Sequence, residues 1–172
     1  MTRRGDTYAA RGLPAGGTLD QVLLIGPSGP AWVVPQFDQK YDGPAYVFTT
    51  TPTALSFTDP SPGTGITITG DGVAHFRISY TITCRIDAVV AGTEGYVEVY
   101  DNGVPISATR SILGFAGPAS NAATSGTSSE LVVVPSVGSH TYELFATQTS
   151  AGGTLTALLD ERTLLAIQLV GF

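Results

Sequence analysis

The chain has 172 residues, including 21 glycines and 11 prolines, and only 13% of its residues are charged. This composition excludes a coiled coil or a helical repeat, which need few helix breakers and many charged side chains. The net charge of −6 argues against a nucleic-acid partner, because phosphate binding requires a basic surface. Because the chain has so few charged residues, hydroxyl groups or subunit contacts must cover much of its surface. This favours an oligomer.

Apolar and cysteine content set two further limits. No apolar run approaches the 18 residues of a membrane span, so membrane insertion is not expected. The single cysteine, Cys84, excludes an internal disulfide and any metal site built from several cysteines.

Residues 1–43 contain glycine and proline at positions that interrupt every possible helix or long strand. This pattern predicts an extended arm in which only short pieces are regular; a frayed, solvated tail is the alternative. Arginines beside an aromatic, followed by apolar residues, suit attachment to a partner surface. Lys40 is expected to be exposed and to contribute little to docking. The predicted docking residues are Arg3, Arg4, Tyr8, Arg11, Leu13, Val22, Leu23 and Trp32.

Residues 44–172 show strand patterns separated by turn signals and are predicted to form a separate head domain. The clearest strand is 74–86, where apolar and polar residues alternate strictly, so that one face is apolar. The last predicted strand, 163–170, supplies a second apolar row. The predicted core residues of these two strands are Phe76, Ile78, Tyr80, Ile82, Leu165, Ile167 and Leu169.

The remaining strand predictions complete an all-β domain. Strands 95–100 and 106–113 are predicted to form a hairpin across Asp101-Asn102-Gly103, because Asn-Gly supplies the positive φ values of a tight turn. Segment 114–128 is predicted to be the longest loop. Further strands are predicted at 129–134, 139–147 and 154–159, with shorter ones near 46–49, 55–57 and 66–69. About ten strands and no helix indicate an antiparallel sandwich.

A short segment of the arm resembles a pattern found in bacteriophage tail fibres. Gly16-Gly17-Thr18, then Gln21-Val22-Leu23 and Trp32, match the "GG-T-x-G-Q-V-L … W" segment near the shafts of such fibres. Asp20 stands where that segment usually has glycine. The resemblance implies a virion protein attached through this segment.

The head is similar to the C1q/TNF-type jelly roll that bacteriophage virion proteins often carry. Four segments carry the similarity: 71–79, 97–104, 138–144 and 164–169. The similarity implies a ten-stranded jelly-roll sandwich that assembles as a homotrimer with its termini near the threefold base. Heads of this kind decorate capsids, form fibre knobs or bind host glycans, and family membership alone does not choose among these roles.

Motifs for catalysis or cofactor binding are not found in the sequence. Gly26-Pro27-Ser28-Gly29 does not match a nucleophile elbow, and there is no P-loop, dinucleotide fingerprint, EF-hand loop or zinc-protease motif. His75 and His140 are interpreted as surface or interface residues rather than metal ligands. Glu94 and Glu98 are acidic, but the sequence does not pair them as a glycosidase would require. We therefore expect no enzyme activity, no cofactor and no metal.

Together these features predict a non-enzymatic bacteriophage virion protein, a homotrimeric tail appendage or minor tail (fibre-knob) protein on the virion surface. The arm would dock to other virion proteins, and the head would adhere to the host surface. The expected partners are the chain itself and virion proteins, with a host-surface glycan as an open possibility and assembly in the host cytoplasm. Two alternatives remain open: a capsid decoration or head-fibre protein, and a free-standing soluble carbohydrate-binding module.

Overall fold

The computed structural model describes residues 22–26, 29–33, 37–88, 93–115, 123–149, 153–158 and 164–171. The predicted docking residues Arg3, Arg4, Tyr8, Arg11 and Leu13 lie outside this part of the chain. The backbones of Val22, Leu23 and Trp32 lie in two short strands, but their side chains are outside the description. No helix in the described ranges is long and apolar enough to cross a membrane.

The described residues form short strands joined by turns, with a single 3-10 turn at Ser107–Thr109. In chain order the strands are β1 (Val22–Gly26), β2 (Gly29–Val33), β3 (Phe37–Tyr41), β4 (Tyr46–Val47), β5 (Thr53–Ala54), β6 (Gly65–Gly70), β7 (His75–Ala88), β8 (Thr93–Asp101), β9 (Val104–Pro105), β10 (Ser111–Phe115), β11 (Ala123–Val133), β12 (Gly138–Gln148), β13 (Thr154–Leu158) and β14 (Leu164–Gly171).

Two six-stranded antiparallel sheets make the sandwich. In the first, the β7 sheet, β11 pairs with one edge of β7. Along the other edge, β14 pairs with the first half of β7 and β13 with the second half. β3 and β4 complete that sheet next to β14 and β13. In the second, the β12 sheet, β8 lies on one side of β12, and β6 and β5 on the other, with β9 and β10 beyond β8. The chain passes repeatedly from one sheet to the other, so the predicted antiparallel jelly roll is confirmed.

The core lies between the two sheets and is built from alternating residues of the long strands. In β7 and β14 the register places Ile78 opposite Ile167 and Tyr80 opposite Leu165, on one inward face. All seven residues predicted to be core are buried. Val97 and Val99 from β8 and Leu144 from β12 pack against them from the other sheet.

The predicted hairpin is present, with one addition. Asn102 and Gly103 both have positive φ values, 49° and 80°, and connect β8 to β9 in a tight turn. The 3-10 turn Ser107–Thr109 then interrupts the returning strand, and β10 resumes pairing further along β8. The segment predicted as one strand, 106–113, is therefore divided.

Three further predictions differ from the structure. The loop predicted over 114–128 is wrong from Ala123 onward, because β11 begins there and pairs with β7 over eleven residues. Its Ser- and Thr-rich start carries no apolar alternation, so long-range pairing with β7 creates the strand. The sandwich itself begins at Phe37, inside the segment 1–43 predicted as an arm, because β3 pairs with β14.

Lys40 is the third difference, since it is buried rather than exposed. It lies opposite Leu165, on the inward side of β3. Its Nζ donates hydrogen bonds of 2.8 Å to both the carbonyl oxygen and the hydroxyl of Ser61. These bonds replace water around the ammonium group and allow its burial.

Candidate functional site

The chain enters and leaves the sandwich at the same end. Phe37, at the start of β3, lies opposite Gln168, and Gly171 at the end of β14 lies opposite His75. The β6–β7 and β11–β12 connections reach this end as well, because Gly70 pairs with Gly138. Anything attached through residues 1–36 would therefore be held next to these connections.

This same end carries most of the exposed apolar surface of the described residues. Eight large apolar side chains are exposed among the described residues. Six of them are valines at this end, each 41–80% accessible. They belong to β9, β11, β14 and the connections β6–β7 and β11–β12. We call this surface the valine end: Val73, Val104, Val132, Val134, Val137 and Val170. Exposed apolar side chains gathered at one end of a domain are typical of an interaction site.

The connections at the valine end are fixed by hydrogen bonds. The Asp71 carboxylate accepts bonds from the backbone N–H groups of Ala74 (2.7 Å) and Val73 (2.8 Å). These bonds lower the pKa of Asp71, because they favour its charged form. Gly72, with φ 79°, donates its N–H to the Pro135 carbonyl at 3.0 Å, which ties the β6–β7 connection to the β11–β12 connection.

His140 adds a second tie. Its Nδ1 lies 2.7 Å from Asp101 Oδ2, and its Nε2 lies 3.1 Å from the Ser136 carbonyl and 3.2 Å from the Ser136 hydroxyl. These are the residue types of a serine hydrolase. Nδ1 donates to the Asp101 carboxylate, while Nε2 lies within hydrogen-bond distance of both the carbonyl and the hydroxyl of Ser136. Through these contacts the ring holds the β11–β12 connection against β8.

The two histidines therefore have different environments. His140 is in β12 and its side chain is largely covered, whereas His75 is exposed at the start of β7. Among the described residues no group of three histidine, cysteine, aspartate or glutamate side chains could hold a metal ion.

A second feature lies on the outward face of the β12 sheet. β8 alternates, so that Val97 and Val99 point to the core while Tyr96, Glu98 and Tyr100 point outward. Glu98 is nevertheless fully buried. Its own strand flanks it with the two tyrosines, β12 places a phenylalanine directly opposite it, and an arginine that precedes β10 covers it.

The geometry of these side chains is compact. An Arg110 guanidinium nitrogen lies 2.9 Å from Glu98 Oε2, and the guanidinium carbon lies 4.3 Å from the centre of the Tyr96 ring. The Tyr100 ring stacks on that of Phe145, with centroids 4.0 Å apart and an angle of 24° between the planes. We call these five residues the Glu98 cluster.

Electrostatics within the Glu98 cluster favour the ion pair. The hydrogen bond to Glu98 raises the pKa of Arg110, and burial is the main cause that raises the pKa of Tyr100. Two oxygens on this face, Glu98 Oε1 and the Thr147 hydroxyl, are buried with no hydrogen-bond partner among the described residues. Thr147 lies opposite Tyr96, next to Phe145 along the outward row of β12.

Sequence reasoning left Glu94 and Glu98 open as a carboxylate pair, and the structure separates them. They lie four residues apart on the same strand, so their Cα atoms are about 13 Å apart. Their surroundings also differ, since Glu94 is exposed whereas Glu98 is enclosed and bound to Arg110.

Comparison with protein families and with curated proteins gives no match to the sequence. Among solved structures, the chain is similar to Eiger, a TNF from S. frugiperda, with a TM-score of 0.51 and 7% identity over 80% of this chain and 93% of that chain. A protein of the infectious bursal disease virus Gx strain matches with a TM-score of 0.40 and 11% identity, over 92% of this chain and 37% of that chain. At these identities the TNF likeness establishes the jelly-roll fold.

Proposed function

We propose that the protein is a structural component of a bacteriophage virion, a homotrimeric tail appendage. In this proposal the N-terminal segment docks on the particle, and the jelly-roll head faces the host surface. The valine end is the observation that carries the proposal, because exposed apolar surface and the entry point of the N-terminal segment lie together there.

The energetics favour covering this end. Full burial of a valine side chain contributes about 1.5 kcal/mol or more, so six exposed valines represent a considerable stabilisation on association. Docking through residues 1–36 brings the valine end against the particle, and the two contacts then reinforce each other. The "GG-T-x-x-QVL … W" resemblance in residues 16–32 supports a tail position for the docking segment.

Trimer formation is the second part of the proposal. The chain carries few charges, and cyclic symmetry allows three identical surfaces to cover one another. Valines around the entry point of three chains would meet near the axis of such a trimer. Because a jelly roll serves many functions, the fold is compatible with this assembly and does not by itself select it.

The decisive experiment is particle incorporation of a chain that lacks residues 1–35. Phages whose own copy of the gene is deleted are supplied with the truncated or the full-length protein. We expect the truncated head to fold, as judged by circular dichroism, and to be missing from purified particles by gel and imaging. Normal incorporation would show that the head itself does the anchoring and would overturn the assigned role of the segment.

A matched pair of variants tests the valine end separately. Val132→Asp with Val134→Asp places two charges on this surface, whereas Val47→Asp places one on an exposed valine of β4, away from it. We expect the double variant to fold and to be lost from particles, while the Val47 variant is retained. Equal incorporation of the two would exclude the valine end as an attachment surface, and labelled particles show whether attachment is to tail or capsid.

A further inference from the structure

The buried carboxylate of Glu98 is difficult to explain as a stabilising feature. It lies on the outward face of a sheet, is fully enclosed, and leaves Oε1 without a hydrogen-bond partner among the described residues. With an apolar residue at such a position a protein is often as stable as it is with a half-satisfied ion pair, or more stable. Glu98 has another effect besides stability: its hydrogen bond fixes the position of Arg110.

Arg110 is held in place while its side chain stays 42% exposed. One guanidinium nitrogen is bound to Glu98, and the flat group lies over the Tyr96 ring. Glu98 is the only hydrogen-bond partner of the guanidinium within the described ranges. The guanidinium thus presents further N–H donors in a fixed orientation, which reduces the entropy cost of binding a ligand.

Aromatic surface lies directly beside these donors. Tyr96, Tyr100 and Phe145 are half-buried, so each ring keeps part of its area accessible on the outward face. The stack of Tyr100 on Phe145 fixes both rings. A flat aromatic surface next to oriented polar groups matches a ligand with an apolar face and a polar rim.

The charge on this face narrows the ligand class. Glu98 offsets Arg110, and a further carboxylate, that of Glu143, lies on the same outward row of β12. The surplus of negative charge disfavours phosphates and acidic sugars. A neutral sugar ring has the required shape and chemistry, because its C–H face packs on aromatic rings while its hydroxyl groups accept hydrogen bonds from a guanidinium.

We propose that the Glu98 cluster is a binding site for a neutral sugar ring of a host-surface glycan. Arg110 binds the sugar hydroxyls, Tyr100 and Tyr96 contact the ring, and Glu98 is a positioning residue that acts through Arg110. This proposal rests on the proposed function, in which the head faces the host surface. A single such site binds weakly, and three sites in a trimer supply avidity.

The test uses the full chain and saturation-transfer NMR with the methyl glycosides of glucose, galactose and mannose, with methyl glucuronide as the acidic comparison. We expect at least one neutral glycoside to bind and the glucuronide to bind more weakly. Arg110→Ala should weaken binding by about tenfold or more, as expected for the loss of a charge-assisted hydrogen bond. Val47→Ala, remote from the cluster, is the control and should bind as the unmodified chain does.

Glu98→Gln separates positioning from direct contact. We expect it to fold, to weaken binding less than Arg110→Ala, and to have no further effect when combined with Arg110→Ala. Binding of no neutral glycoside, stronger binding of the glucuronide, or unchanged binding by Arg110→Ala would each overturn the proposal. Particle incorporation distinguishes the two proposals, since Arg110→Ala should enter virions normally even though it binds sugar more weakly.

Discussion

His140 Nδ1 lies 2.7 Å from Asp101 Oδ2, and this contact joins β12 to the end of β8. On its other side the imidazole contacts Ser136. A single ring therefore links β8 and β12 to the β11–β12 connection. The connection carries two of the six valines at the valine end. The pair therefore fixes the shape of the surface to which we assign attachment.

Replacing His140 should loosen that surface. We expect His140→Ala to lower the free energy of unfolding by about 1–2 kcal/mol, because it removes a largely covered side chain together with its hydrogen bonds to Asp101 and Ser136. His75→Ala, at an exposed position, should change it by less than about 0.5 kcal/mol. Urea unfolding followed by fluorescence measures both, and equal values would mean that the His140 bridge contributes nothing.

Adjacent positions on β7 should respond in opposite ways. Ile78 is buried between the sheets, so Ile78→Asp places an unpaired charge in the core and should prevent folding. Arg77 points outward, is 40% exposed and lies 3.8 Å from Glu130, so Arg77→Ser should cost less than about 1 kcal/mol. Circular dichroism and thermal melting distinguish the two. If both variants melted like the unmodified chain, the inward face would be misassigned.

Tyr80 should limit stability at high pH. Its hydroxyl donates to the Thr109 carbonyl at 2.7 Å, and burial raises its pKa to about 12. The folded state thus prefers the protonated phenol, and this stabilisation is complete below about pH 10 and is lost as the pH rises towards 12. Tyr80→Phe should be less stable at neutral pH, and its stability should fall less between pH 10 and 12. Parallel pH profiles of the two proteins would contradict this.

The thiol of Cys84 should report on global unfolding. The side chain is fully buried in the core, and burial raises its pKa to about 12. Since the thiolate is the reactive form, a disulfide reagent at pH 8 should leave the native chain unmodified and label it in denaturant. Rapid labelling under native conditions would show that β7 opens locally.

The mass in solution should be three times the 17.7 kDa of one chain. This follows from the proposed trimer, and light scattering coupled to size-exclusion chromatography measures it. Val132→Asp with Val134→Asp should shift the mass towards that of one chain, because in the proposed trimer the valines meet near the axis. A monodisperse monomer of the unmodified chain at micromolar concentration is incompatible with the proposed assembly.

The sequence predicts β7 well, because strict alternation along one strand is a local signal. The same alternation occurs around Glu98 in β8, but there it predicts the wrong exposure for the side chain. Its position in β8 marks it as outward and therefore exposed, yet residues from β12 and the start of β10 cover it. Burial of this kind depends on partners far apart in sequence, as it does for Lys40 on the inward side of β3.

The valine end shows the same limitation on a larger scale. Its six valines are spread between residues 73 and 170, and none of them stands out in its own strand. Only the antiparallel register, which pairs Gly70 with Gly138 and Phe76 with Leu169, brings them to one end. Strand patterns can be found locally, but a surface assembled from five connections and strands requires the topology.

The place of β14 has a consequence for biosynthesis. The last strand of the chain to be made is inserted between β3 and β7, which are among the early ones. Residues 89–163 must be translated after β7, which takes roughly 4–15 s at about 5–20 residues per second. During that time one edge of β7 has no partner from β14, and such an edge can pair with another chain. A protein built in this order completes its β7 sheet only once β14 has been made, so the unpaired edge of β7 is open to association during the delay.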